Sequence, residues 1–69
     1  MTQFVYYNEK CVAIIESEYV PHKNDELEID DVIYCIDDVK YKTLRVNKLI
    51  NSHVITGVEI RVDKSGRLY

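Results

Sequence analysis

Apolar and polar positions alternate with a period of two along most of this chain, in short runs rich in β-branched and aromatic residues. Asn, Asp, Lys, Ser and Gly punctuate the runs. The pattern predicts short half-buried strands joined by tight turns, with weak helix signals. A first strand is expected from Gln3 to Tyr7, then a turn at Asn8-Glu9-Lys10. A second is expected from Cys11 to Val20, with Ala13, Ile15 and Tyr19 inward and Pro21 ending it for want of a ladder N–H. His22-Lys23-Asn24-Asp25 reads as a turn, with Asn24 best suited to positive φ. Leu27 and Ile29 alternate with Glu26, Glu28 and Asp30, a half-buried strand closed by a hairpin turn at Asp30-Asp31. Val32 to Ile36 forms the next strand, and Asp37-Asp38 marks a bulge or bend before Val39 and Tyr41. The stretch from Thr43 to Asn51 is ambiguous. Leu44, Leu49 and Ile50 fit one face of a short helical turn over 44–51, whereas Val46 fits a strand. Val54 to Val62 reads as a strand with Val54, Thr56, Val58, Ile60 and Val62 on one face. Asp63-Lys64-Ser65-Gly66 fits a type I turn, and Arg67-Leu68-Tyr69 would pair back.

Five or six short strands joined by tight turns must close up or leave vulnerable edges. The expected fold is therefore all-β, a small partly open barrel of the SH3-like or OB-like kind. The 69 residues are expected to form a single small β-barrel domain over 1–69, near the lower limit for folding without staples. A deep active-site cleft needs more chain than this. Six tyrosines without a tryptophan point to amphipathic rings at the rim of a thin core.

The order Val20-Pro21, Asp25, Leu27, Ile29, Asp30, Tyr34 and a later Val58-x-Ile60-x-Val62 resembles a pattern of short phage and prophage β-barrel proteins. Those have a proline, a Gly-Asp turn, an aliphatic strand, an Asp-Gly hairpin and a tyrosine in that order. Here Asn24 and Asp31 stand where glycine is usual. The resemblance covers about two-thirds of the chain and rests on turn chemistry. It implies a barrel and a mobile-element origin, and it carries over no catalytic residue.

The net charge of −3 conceals a segregation. From Glu16 to Asp38 there are nine acids and one base, Lys23; from Val39 to Tyr69 there are seven bases and two acids, Glu59 and Asp63. Acidic and basic strands could pair across the sheet, where such exposed pairs are worth about 0.2–1 kcal/mol each. Alternatively they form separate faces. An acidic rim over Glu26, Glu28, Asp30, Asp31, Asp37 and Asp38 would then dock on a basic protein. A basic stretch of Lys40, Tyr41, Lys42, Arg45 and Lys48 would bind single-stranded nucleic acid, with Tyr41 for stacking. The acidic total argues against non-specific DNA binding.

Reactive chemistry finds little support. Cys11 and Cys35 lie far apart in apolar runs without a CxxC, and His22 and His53 are not spaced to complete a zinc site. Two buried or half-buried strand thiols are expected. The Asp25–Ile36 run fails the calcium-loop template, which needs glycine at its sixth place and Glu at its twelfth. Asp37 and Asp38 face opposite sides of a strand unless a bulge intervenes, and no Gly-rich phosphate loop exists. No cofactor, metal or catalytic residue is predicted. His22 and His53 read as surface residues, and of the adjacent Tyr6 and Tyr7 one ring should face in and the other out. No leader pattern is present and no apolar run nears the roughly 18 residues of a span. Cytoplasmic localisation without a membrane partner is expected. The sequence thus predicts a non-enzymatic protein-interaction module acting through its acidic rim, with an outward tyrosine (Tyr6 or Tyr7, Tyr41 or Tyr69) as anchor. Single-strand nucleic-acid binding is one alternative. Self-association through an exposed edge strand, as in a virion subunit, is the other.

Overall fold

The structure is a computed structural model that describes residues 1–64. Five strands form one sheet: β1 (Thr2–Tyr7), β2 (Lys10–Glu16), β3 (Glu26–Ile29), β4 (Val32–Asn47) and β5 (Ser52–Lys64). The spatial order is β2-β1-β5-β4-β3, with β1 and β5 parallel and every other pair antiparallel. The sheet curls into a half-barrel, the all-β partly open barrel that the alternation predicted. The pairing proposed for Arg67-Leu68-Tyr69, with its turn through Gly66, lies outside the described residues.

The concave face is the core. Val5, Tyr34, Ile36, Val58, Ile60 and Val62 are buried there, and Tyr7, Leu27, Ile29 and Val39 pack around them. Tyr7 meets Tyr34 with ring centroids 5.5 Å apart, a tilted contact favoured by the ring quadrupoles. Tyr6 points to the convex side, as adjacent strand positions must, and Arg61 lies over its ring at 5.9 Å. An extra residue in β2, Val12, breaks the register against β1. The bulge lets Val12 and Ala13, neighbours in sequence, both reach the core along with Ile15.

The turns behave as their residues require. Asn8-Glu9 and Asp30-Asp31 all have positive φ, between 48° and 65°, the signature of two-residue type I′ hairpins. Asn24 has φ 75°, as the sequence led one to expect. Neither hairpin has the glycine this turn prefers. Glu9→Gly and Asp31→Gly should therefore each stabilise the fold, by about 0.5–1 kcal/mol, with Glu9→Gly the larger because Asp tolerates the left-handed region better. Urea midpoints of the two variants check this, and a lowered midpoint for Glu9→Gly would contradict it.

Three expectations need correction. β2 stops at Glu16, not Val20, and Tyr19 is exposed instead of inward. Residues 17–25 form a strap that joins the two edge strands, β2 and β3, with Val20 and the buried Pro21 laid against the open side of the core. The buried Gln3 pulls the chain off the ladder: its Nε2 donates to Ser17 O at 3.1 Å and Tyr19 O at 2.7 Å. The far end is fixed by Asn24 N donating to Ile36 O and Ile36 N donating to Asp25 O, at 2.9 and 2.8 Å.

The second correction concerns 43–53. No helical turn forms over 44–51. β4 runs unbroken to Asn47, a four-residue turn follows, and β5 returns. At a rise of about 3.3 Å per residue, the 16 residues of β4 match the 52 Å long axis of the molecule, whose other extents are 20 and 18 Å. β3 covers only Val32–Cys35 of β4, and β1 only Val58–Arg61 of β5. Residues 40–57 therefore project as a two-stranded arm. Third, an extra residue at Thr56 shifts the β5 register, so Val58, Ile60 and Val62 share the core face but Val54 falls on the opposite side of the ribbon.

Candidate interaction surfaces

The arm exposes Leu44, Val46, Leu49, Ile50, Val54 and Ile55, with Leu49 at 93% and Ile50 at 70% of full exposure. Tyr41 is also exposed at its base. The ladder explains why. Leu44 opposes Val54 on one face of the ribbon, and Tyr41, Thr43 and Ile55 lie on the other. A two-stranded ribbon has no second layer to cover either face.

Charge separates along the same boundary. Lys40, Lys42, Arg45 and Lys48 belong to the arm, and all 12 acidic residues of the chain lie outside it. Acidic and basic segments mostly do not pair with each other: β3 pairs with Val32–Cys35, and the basic stretch pairs with β5. They adjoin at the arm's root, where Asp38 opposes Arg61, and within the basic segment Glu59 gathers two cations there. Lys42 Nζ is 3.4 Å from Glu59 and Arg61 Nη2 donates to Glu59 at 2.8 Å. Burial pushes the Glu59 carboxyl up, but the Lys42 bond and the charges of Lys42, Arg61 and Lys40 outweigh it and hold the group below its ordinary value. Lys42 is thus partly neutralised.

The basic stretch is not one surface. Alternation puts Lys40 and Lys42 on the convex side of β4, Tyr41 and Arg45 on the other, and Lys48 in the tip turn. The acidic rim divides as well. Glu26 and Glu28 are exposed on β3, and Asp30 and Asp31 form the adjoining turn. Asp37 and Asp38 sit beyond the reach of β3. Asp37 is the extra residue of a bulge, and Asp38 opposes Arg61. The bulge cancels the alternation expected to keep these two carboxyls apart, and both are exposed. Asp37 joins Glu9, Asp63, Asn8, Tyr6 and Arg61 around a shallow open cleft of about 270 Å³. Sequence reasoning did not place Glu9 or Asp63 there, because only the β2-β1-β5-β4 order brings them together. The cleft is polar and smaller than the common range for small-molecule sites.

Of the two thiols, Cys35 is half-buried as expected, but Cys11 is exposed at the start of edge strand β2. His22 is exposed in its turn, and His53 Nδ1 lies 2.9 Å from Asn51 O. Among the described residues no three His, Cys, Asp or Glu side chains converge as a metal site, and no helix is long and apolar enough to cross a membrane. Comparison with protein-family models, with curated proteins and with solved structures returned no match.

Proposed function

We propose that this protein is a non-enzymatic protein-interaction module in which the arm is the adhesive surface and the acidic body steers a basic partner. The observation that carries this is the six large aliphatic side chains exposed on residues 40–57. That many exposed large aliphatic side chains on one element is a feature of interfaces, and an isolated ribbon is marginal in water until something covers it. The carboxylates of β3 and its turn set encounter rates and salt dependence more than affinity. The resemblance to short phage and prophage proteins extends this reading to a mobile-element role, with an SH3-like or OB-like barrel acting in the cytoplasm.

The test uses the full chain as bait in a bacterial lysate beside two variants. One is Leu44→Ser/Val54→Ser/Ile55→Ser. The other is Glu26→Gln/Glu28→Gln/Asp30→Asn/Asp31→Asn. Proteins retained by the wild type should fall at least about tenfold with the arm variant, since a few buried apolar anchors carry most binding energy. The amide variant should bind more slowly and with less salt sensitivity. Equal retention by all three baits would overturn the reading.

The four arm cations favour a second reading, binding of single-stranded nucleic acid. Their division between two faces, the Lys42–Glu59 pair and the acidic body weigh against it. Fluorescence anisotropy with short DNA and RNA strands should show no binding at physiological salt. Binding with a steep salt dependence would replace the first reading with this one.

A further inference from the structure

We propose that the tip of the arm, residues 47–51, docks on a bilayer surface containing anionic lipid, with Leu49 and Ile50 entering the boundary between headgroups and acyl chains and Arg45 and Lys48 held at the headgroups. This rests on the reading of the arm as an adhesive surface and goes beyond it by giving the tip its own ligand. The sequence pointed away from a membrane because no apolar run is long enough to span one. A tip that enters only the outer boundary needs no span. The first observation is where the apolar surface lies. Leu49 and Ile50 are the two most exposed large apolar side chains among the described residues, and they stand side by side in the turn that ends the ribbon. A side chain on one face of the ribbon can be covered by a flat partner. A turn that projects past the last strand pair, Asn47 with Ser52, is covered only by something that closes around it.

The second observation is charge. Every charged residue from 40 to 57 is a cation. Arg45 and Lys48, the two nearest the tip, are exposed and have no ion pair among the described residues. Glu59, which holds Lys42 at the arm's root, is more than about 20 Å from the turn at the usual strand rise. That is well beyond the roughly 8 Å over which charges act at physiological salt. An anionic surface therefore meets cations and apolar side chains first, and the acidic body keeps the molecule end-on. The third observation is the turn's own hydrogen bonding. Leu49 N donates to Asn47 Oδ1 at 2.9 Å, and His53 Nδ1 lies within hydrogen-bond reach of Asn51 O at 2.9 Å. Two backbone groups of the turn are thus satisfied by nearby side chains, which lowers the cost of leaving water. Immersion of about 5–10 Å covers the turn and about two residues of each strand, and the rest of the ladder stays hydrated. The long stem of Lys48 lets its ammonium reach the headgroup phosphates while Leu49 lies deeper.

The experiment is co-sedimentation of the full chain with phosphatidylcholine vesicles, with and without one-third phosphatidylglycerol. The wild type should pellet with the anionic vesicles, stay in the supernatant with the neutral ones, and be released as salt rises. Leu49→Ser/Ile50→Ser should lower the partition coefficient at least about tenfold. Arg45→Gln/Lys48→Gln should lower it by about fivefold for each cation removed. All four side chains are exposed, so both variants should keep the wild-type circular dichroism spectrum. The chain has no tryptophan, so Ile50→Trp places a single reporter at the tip, and its emission should shift to the blue on anionic vesicles. No pelleting with anionic vesicles, pelleting unchanged by Leu49→Ser/Ile50→Ser, or a bound Ile50→Trp with unshifted emission overturns the proposal. If vesicle binding fails while Leu44→Ser/Val54→Ser/Ile55→Ser still loses its captured proteins, the arm docks on protein and not on lipid. Vesicle binding with equal protein capture by every bait keeps the lipid and removes the protein partner.

Discussion

Ile60→Ala is expected to unfold the domain at room temperature. Ile60 is fully buried on β5, at the middle of the sheet, opposite Val5 on one side and Val39 on the other. Truncating such a side chain costs about 2–5 kcal/mol, from lost burial and the cavity left behind. A domain of this size has only about 3–5 kcal/mol to lose. Far-UV circular dichroism and limited proteolysis read the result. Ile55→Ala on the exposed arm is the control and should change stability by no more than about 0.5 kcal/mol. A cooperative, near-native thermal transition for Ile60→Ala would show that the core is not where the burial pattern puts it.

Gln3 should be nearly as sensitive. It is the one buried polar residue among the described residues, 1% exposed, and both strap carbonyls depend on its amide. Gln3→Leu keeps the volume roughly but leaves Ser17 O and Tyr19 O without their donor. The expected loss is about 2–4 kcal/mol, since each unsatisfied group costs about 1–3 kcal/mol. Gln3→Glu should be worse at neutral pH, because an ionised carboxylate faces two carbonyl oxygens and can donate to neither. Burial and those oxygens raise the introduced carboxyl's pKa in the folded state above its unfolded value. The variant should then be most stable below the unfolded pKa, near 4.3, and lose stability as pH rises through the folded pKa. Urea titrations at acid and neutral pH test the sign. A Gln3→Glu protein more stable at pH 7 than at pH 4 would refute this account of the strap.

The hairpin at Asp30-Asp31, the left-handed Asn24 and the core triplet Val58, Ile60 and Val62 were legible from side-chain chemistry and a period of two, as was the first turn, read over Asn8-Glu9-Lys10 and found one residue shorter at Asn8-Glu9. They were legible because each is decided locally. The arm was not, because Leu44, Val46, Leu49 and Ile50 look like core residues to any pattern that equates apolar with buried. Tyr19 was misplaced because nothing local announces that Gln3, sixteen residues earlier, captures its carbonyl. Val54 was assigned to the wrong face because the extra residue at Thr56 leaves no mark in composition. The acidic and basic segments were visible as charge runs, but their arrangement as body and arm depends on how far β4 outruns β3.

The parallel β1–β5 pair has a kinetic consequence. Gln3 is matched with Val58 and Tyr6 with Arg61, so the earliest strand waits for the latest described one. The local hairpins β1–β2 and β3–β4 can form as soon as their residues are made, on the microsecond scale of such turns. Neither can bury its apolar side until residues 58–62 have left the ribosome, because β5 separates β1 from β4. A nascent chain halted before that point carries two half-sheets with their inner faces open to water. Closure of long-range pairs is the slow step in such topologies, and here it comes last by construction. Until then, aggregation competes with folding.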